Sequence, residues 1–163
     1  MKALVVYYTR TGNTRKAADV IAAACGGDLE EVREAGTNRK GIVGWLCAGR
    51  DAMKGKTSVI EPTTKRSGDY DVVFIGTPVW AGTFAPALRG YLASANLGSK
   101  PIALFCTMGG TNEGGIFASM RELVAPAKVL GELAVRQQEI KDPAALKTRV
   151  AAWVAEIVDS AGA

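Results

Sequence analysis

Histidine is absent from the 163 residues of this sequence. Its absence excludes Ser-His-Asp and Cys-His catalysis, and it excludes every metal or haem site that needs a histidine ligand. The three cysteines, Cys25, Cys47 and Cys106, are odd in number and lack Cys-x-x-Cys spacing. We therefore expect reduced thiols in a cytoplasmic protein, and a redox role would have to rest on an organic cofactor.

Long apolar runs are also missing, and the N-terminus enters a strand pattern without the features of a signal peptide. We expect no membrane span and no nucleic-acid partner. The composition, 48% apolar and 22% charged, is ordinary for a globular protein. At this length the simplest organisation is a single domain over residues 1–163.

The common phosphate-binding motifs are not found. The sequence has no G-x-x-x-x-G-K-[ST], which argues against a nucleotide triphosphatase, and no G-x-G-x-x-G dinucleotide fingerprint after its first predicted strand. No cysteine opens the loop that follows this strand, so a cysteine phosphatase nucleophile is missing there. No acidic pair ends the strand either, which argues against a metal-dependent phosphoacceptor site.

What the sequence does have is a hydroxyl-rich turn between the first predicted strand and the first predicted helix. A helix N-terminus presents unpaired backbone N–H groups and partial positive charge, so a phosphate fits there. The threonine hydroxyls add donors, and the glycine allows close approach of the backbone. The alternative is an ordinary helix N-cap, which favours the same residue types. The residues of this turn are Thr9, Arg10, Thr11, Gly12, Asn13 and Thr14.

Apolar runs alternate with helical patterns along most of the chain, which predicts a parallel sheet covered by helices on both faces. The last helix has the clearest signals, because Asp142 can cap it, Pro143 suits its first position and Trp153 lies on its apolar face. Trp153 and Cys106 are predicted to be core residues. We predict strands at 2–8, 28–34, 71–76, 101–106 and 129–135, and helices at 14–25, 84–94, 113–124 and from 143, with Gly162 after the end of the last.

Two further loops follow predicted strands and complete a pattern of three. One follows the third strand and carries an aromatic residue, and the other follows the fourth strand and is rich in glycine. The loop after the third strand contains Thr77, Pro78, Val79, Trp80, Ala81 and Gly82, and the loop after the fourth strand contains Thr107, Met108, Gly109 and Gly110. In order along the chain, the three loops resemble the FMN-binding loops of flavodoxins: one for the phosphate, one that covers the isoalloxazine ring, and one at the edge of the ring.

The resemblance implies a flavodoxin-like, doubly wound parallel sheet of five strands in the order 2-1-3-4-5, with FMN as the cofactor. In such sheets ligands bind beyond the carboxyl ends of the strands, where the strand order reverses. All three loops would lie at that edge. Trp80 then offers a surface for ring stacking, and Gly82 and its neighbours would permit a peptide flip beside the ring. The alternative for Trp80 is burial in the core.

The charge of the chain is unevenly distributed. The net charge is +4, and the segment from Thr37 to Thr57 alone holds five basic residues against one acid. We predict a loop followed by a glycine-interrupted helix within 38–57. Its basic face is either a solvated helix surface or a docking surface for an acidic partner, and it departs from flavodoxins, which are typically acidic. The basic residues are Arg39, Lys40, Arg50, Lys54 and Lys56.

Three functions fit these features. The first is an FMN protein that carries electrons between redox partner proteins. The second is an FMN-dependent oxidoreductase that acts on NAD(P)H or a quinone. The third is a non-redox phosphate-binding or interaction module. The chain length and the absence of a second cofactor domain favour the carrier, whereas the basic segment favours the enzyme.

Overall fold

A computed structural model describes residues 1–36, 50, 54–110 and 115–162 of the chain. In this part of the chain six strands form one sheet, flanked by helices and by a short 3₁₀ turn at Ser67–Asp69. The strands are β1 (Ala3–Tyr7), β2 (Asp28–Glu31), β3 (Val72–Trp80), β4 (Thr83–Phe84), β5 (Pro101–Met108) and β6 (Lys128–Arg136). The helices are α1 (Asn13–Cys25), α2 (Pro86–Ser94), α3 (Ile116–Val124), α4 (Gln137–Ile140) and α5 (Pro143–Gly162).

The strand order β2-β1-β3-β5-β6 confirms the predicted doubly wound sheet, with parallel pairing between each pair of neighbours. The short β4 is an addition to the predicted five strands, and it pairs with the end of β3 in an antiparallel hairpin. The order reverses between β1 and β3, so the carboxyl ends of these two strands mark the edge where a ligand is expected.

Alternate residues along each central strand enter two separate cores. On one face Val5 and Phe74 pack with α1, α4 and α5, and on the other face Leu4 and Val73 pack with α2 and α3. Trp153 lies in the first core, where its ring meets Phe74 edge-to-face with centroids 5.6 Å apart. The predicted core position of Trp153 is therefore confirmed, and Cys106 is likewise fully buried.

The third strand is longer than predicted. We predicted its end at Gly76, with a loop over 76–82, but β3 continues to Trp80 and turns back into β4 through Ala81 and Gly82. Both turn residues have positive φ, 49° and 77°, as the central residues of a type I′ hairpin turn do. We predicted a loop because proline disrupts the hydrogen bonding of a strand. The Gly76 carbonyl accepts the Tyr8 amide, so residues 76 and 78 of β3 direct their backbone groups toward β1. Because β1 ends at Tyr7, Pro78 faces no strand there, and its lack of an N–H group breaks no hydrogen bond of the sheet.

Other boundaries moved by a few residues. The predicted helix at 84–94 begins at Pro86, because the two residues before it form β4. Strand β5 extends to Met108, and β6 extends to Arg136 and leads directly into the unpredicted single turn of α4. The Asp142 carboxylate caps α5 as predicted, accepting the Ala145 amide at 3.1 Å, and α5 runs through Gly162.

The predicted helix within 38–57 lies almost entirely outside the described residues, as do Arg39 and Lys40. Of its basic residues, Arg50, Lys54 and Lys56 are described, and all three are exposed. None of the described helices is long and apolar enough to cross a lipid bilayer.

Candidate functional site

A cleft opens at the carboxyl edge of the sheet, beside the point where the strand order reverses. Four segments of the chain line it: the turn before α1, the end of β3, the end of β5 and the short helix α4. The lining residues are Arg10, Thr11, Asn13, Thr14, Pro78, Val79, Trp80, Thr107, Met108, Gly109, Gln137 and Ile140.

The turn before α1 brings the start of that helix to the cleft. Gly12 adopts a left-handed conformation with φ 90°, and its amide donates to Thr9 Oγ1 at 3.0 Å, which folds the turn back on itself. Helix α1 has no acidic residue in its first turn. The backbone N–H groups of that turn and their partial positive charge therefore stay available to an anion in the cleft.

Two buried threonines join the first and third predicted loops. Thr14 Oγ1 lies 2.8 Å from Thr107 Oγ1, and neither residue is more than 4% exposed. A hydroxyl donates one hydrogen bond and accepts two, so one of the pair keeps its donor for a ligand. This bond fixes the start of α1 against the end of β5 across 93 residues of chain.

The β3–β4 hairpin forms the aromatic wall of the cleft. Trp80 is half-buried, and its ring stands edge-to-face on the ring of Tyr8, with centroids 5.6 Å apart and planes at 85°. Thr77 holds the base of the hairpin: its hydroxyl accepts the Ala85 amide at 3.1 Å and donates to the Pro78 carbonyl at 3.1 Å. Thr77 is fully buried and does not line the cleft.

The predicted site residues divide into two groups. Ten of them line the cleft: Arg10, Thr11, Asn13, Thr14, Pro78, Val79, Trp80, Thr107, Met108 and Gly109. The other six support or border it without lining it: Thr9, Gly12, Thr77, Ala81, Gly82 and Gly110. Their assignment to a ligand stays a prediction.

Helix α4 supplies two lining residues that we did not predict, Gln137 and Ile140. A Cβ added to Gly109 would lie 3.7 Å from Gln137 Oε1, so the start of α4 lies beside Gly109. No motif marks these two residues, but their position in the chain could have predicted them. Any residue that follows the last parallel strand lies at the same edge of the sheet as the three loops. We predicted the end of that strand correctly to within a residue and missed the turn beyond it.

Few of the described residues in and beside the cleft are charged. Arg10 is the one titratable side chain among the described lining residues. The nearby Glu31 carboxylate is paired with Arg15, on the exposed side of α1. At α4, burial tends to raise the pKa of Glu139, but the Arg136 amide and the Arg149 guanidinium outweigh burial and hold that pKa below its ordinary value.

These features define a class of protein: a doubly wound α/β protein whose topological switch point combines a helix N-terminus free of acids with an aromatic wall. Such a site suits a ligand that has both a phosphate and a flat ring. A family model described as flavodoxin matches residues 2–157. The chain belongs to the flavodoxin family, which confirms the family predicted from the three loops.

Solved structures agree with this assignment. The chain is similar to a flavoprotein from Lactobacillus acidophilus NCFM, crystallised in complex with FMN, with 25% identity, a TM-score of 0.71 and coverage of 86% of this chain and 96% of that one. A protein from Bacteroides eggerthii described as a flavoprotein has 24% identity, a TM-score of 0.74 and coverage of 86% and 94%. An oxidised flavodoxin from Bacillus cereus has 16% identity, a TM-score of 0.58 and coverage of 98% of both chains. No curated protein sequence matches this chain significantly.

Proposed function

We propose that this protein is an FMN-dependent electron carrier. FMN, the cofactor predicted from the sequence, is the cofactor of the family to which the chain belongs, and the similar Lactobacillus acidophilus protein was crystallised with it. When bound, FMN supplies a ring that takes up and releases electrons.

Different residues of the cleft bind the phosphate and the ring of FMN. In this proposal the backbone N–H groups at the start of α1 and the Thr11 hydroxyl hold the phosphate with neutral donors. Trp80 packs on the ring, and Tyr8 supports Trp80 from behind. Met108 and Gly109 let the backbone at the end of β5 approach the edge of the ring.

The observation that favours a carrier is the lack of acid–base groups among the described residues that line the cleft. Among the described lining residues Arg10 alone has a charged side chain, and a guanidinium offers donors but no acceptor. An enzyme that moves a hydride or reduces a quinone benefits from a side chain that gives or takes a proton near pH 7. Passing single electrons to a partner protein needs none.

The oxidoreductase remains the second candidate, and Arg89 favours it. Its Nη2 donates to Thr83 Oγ1 of the hairpin at 2.9 Å, and its guanidinium carbon lies 3.9 Å from the centroid of Phe84. Burial lowers the pKa of Arg89, and no carboxylate pairs with it among the described residues. Arg89 does not line the cleft, but a cation at the β3–β4 hairpin would suit an anionic substrate that binds there.

Rapid anaerobic mixing of the FMN-loaded protein with NADH or NADPH separates the two candidates. If the protein is a carrier, the flavin absorbance stays constant with either nucleotide and bleaches when a flavodoxin reductase is added. Fast bleaching by NADPH alone, slowed in the Arg89→Gln variant, would establish the enzyme instead. Bleaching at the wild-type rate in Arg89→Gln would keep the enzyme and remove the role of Arg89.

The exposed cations Arg50 and Lys54 extend the proposal to the partner. We expect an acidic redox partner, because attraction between exposed charges raises association rates and is screened over about 8–10 Å at physiological salt. Reversing both residues to glutamate should slow reduction by the partner and flatten its salt dependence. The matched control reverses Lys2 and Lys128. These residues lie at the amino ends of β1 and β6, at the edge of the sheet opposite the cleft. Equal slowing in both variants would remove the docking role. Neither Cys25 nor Cys106 forms a disulfide, which supports the cytoplasmic location that we propose.

A further inference from the structure

The side-chain carboxamide of Gln137 lines the cleft and is available for hydrogen bonds to a ligand. The residue is exposed, it lines the cleft, and none of the described residues forms a hydrogen bond with its side chain. Its Oε1 faces the glycine loop, at 3.7 Å from the position of a Cβ on Gly109. A carboxamide offers two donor hydrogens and an acceptor oxygen, so it can bind an anion and a hydroxyl side by side.

The layering of the fold places Gln137 on the phosphate side of the cleft. Helices α1, α4 and α5 cover one face of the sheet, where Ala17 of α1 and Ile140 of α4 share a core. The Trp80 hairpin packs against the core of the other face. Helices α1 and α4 are in contact. Gln137 therefore lies beside Gly109 on the face of the sheet that α1 covers, whereas the aromatic wall packs on the other face.

Helix α4 is held in place from both of its ends. The Glu139 carboxylate accepts the Arg136 amide at 2.7 Å through one oxygen and pairs with Arg149 through the other. Ile140 is buried in the core below, and the Asp142 amide donates to the Glu139 carbonyl. Because the backbone of this turn is already fixed, a ligand that binds Gln137 has to order only its side chain.

We propose that Gln137 binds the phosphate end of the flavin cofactor and makes the site selective for FMN over the unphosphorylated flavin. Its NH₂ group donates to a phosphate oxygen, in a charge-assisted bond, while its carbonyl oxygen accepts a hydroxyl from the chain that joins phosphate and ring. Glu139 acts as a positioning residue through α4. This inference rests on the proposed FMN site and adds a fourth segment to the three predicted loops.

The test compares two glutamates on the same turn. Gln137→Glu keeps the shape of the side chain and places a carboxylate beside the phosphate, whereas Gln138→Glu makes the same charge change at an exposed neighbour that does not line the cleft. Titration of wild-type and both variant apoproteins with FMN and with riboflavin, followed by flavin fluorescence, gives six dissociation constants. We expect Gln137→Glu to weaken FMN by about 10-fold or more, from lost donors and charge repulsion, and riboflavin by less than about twofold. Gln138→Glu should change both by less than about twofold.

Either of two results would overturn the inference: equal weakening of FMN by both glutamate variants, or equal weakening of FMN and riboflavin by Gln137→Glu. A second variant, Gln137→Ala, separates lost donors from added repulsion and should weaken FMN by about 3- to 10-fold. Both substitutions are at an exposed position, and thermal melting checks that the variants fold. If wild-type apoprotein bound no FMN, the proposed function itself would fail. Tight wild-type binding with no effect at Gln137 would remove this inference alone.

Discussion

The two sides of the cleft are built on different principles. On the α1 side, hydrogen-bond donors come from the backbone at a helix start, and a buried bond between Thr14 and Thr107 fixes them against β5. On the hairpin side, the wall is one aromatic ring, Trp80, carried by two residues of β3 and two of β4 and braced by Tyr8. One side supplies polar contacts from rigid elements, and the other supplies apolar area from a small hairpin.

This difference predicts different selectivity on the two sides. Loss of donors on the α1 side should affect ligands with a phosphate and spare those without one, since the donors act on charge. Loss of the ring on the hairpin side should affect every flavin alike, since stacking depends on area. A pair of ligands, FMN and riboflavin, therefore separates the contributions of the two sides.

The largest effect is expected from Thr11→Ala combined with Thr14→Ala. Each hydroxyl donor to a phosphate should contribute about 1–3 kcal/mol, so the double variant should lose about 2–6 kcal/mol of FMN binding free energy. Riboflavin affinity should change little. Fluorescence titration of apoprotein with both ligands measures the two losses, and equal losses would place the phosphate elsewhere.

The same variant breaks the hydrogen bond between Thr14 and Thr107, so it needs a matched control. Thr107→Val removes that bond from the other strand while it keeps both hydroxyls of the α1 side. If the Thr14 hydroxyl acts on the phosphate directly, Thr107→Val should weaken FMN less than the double variant does. A loss of equal size would mean that the threonines act by fixing α1 against β5.

The next effect concerns the base of the hairpin. Thr77→Val removes the acceptor of the Ala85 amide and leaves a buried N–H without a partner, which costs about 1–3 kcal/mol of unfolding free energy. Urea denaturation measures this loss. Thr83→Val is the control, because Thr83 is half-buried and bonds an arginine side chain rather than a buried backbone amide. A Thr77→Val variant as stable as wild type would mean that the hairpin does not depend on this anchor.

A smaller effect is expected from Trp80→Ala. Removal of the ring should weaken FMN and riboflavin by a similar factor, about 1–2 kcal/mol in each case. In the wild type, FMN should quench tryptophan fluorescence, and Trp80→Ala should lose most of that quenching. Trp153→Phe should keep it, because Trp153 is packed on Phe74 in the core. Unchanged quenching in Trp80→Ala would contradict the ring assignment.

The sequence predicted the α1 side better than the hairpin side, for physical reasons. A turn with one glycine and several threonines, placed between a buried run and a helix, is specified by neighbouring residues, and its signal is therefore local. The hairpin depends on where other strands end. Pro78 reads as a loop signal, yet it is tolerated in β3 because β1 stops beside it.

Helix α4 was missed for a related reason. A single turn of four residues has too few positions for a helical period, and its stability comes from tertiary partners such as Arg149. The strand order could be predicted only from the family resemblance, because the apolar pattern of a strand does not show which strands pair with it. The buried positions of Trp153 and Cys106 were predictable, since burial depends on a pattern that the sequence does contain.

The smallest effect is a pH-dependent one at α4. Two partners outweigh burial and lower the pKa of Glu139 in the folded protein, so its ionised form stabilises the fold. Because the folded pKa lies below the ordinary value of 4.5, this stabilisation is complete above that value and is lost as the pH falls through the folded pKa. Glu139→Gln should therefore lower the unfolding free energy by about 1 kcal/mol at pH 7. The gap to wild type should close below about pH 4, as measured by denaturation across pH. A gap that stays constant from pH 7 to pH 3 would mean that the charge of Glu139 does not hold α4, and the positioning role assigned to it would then fail.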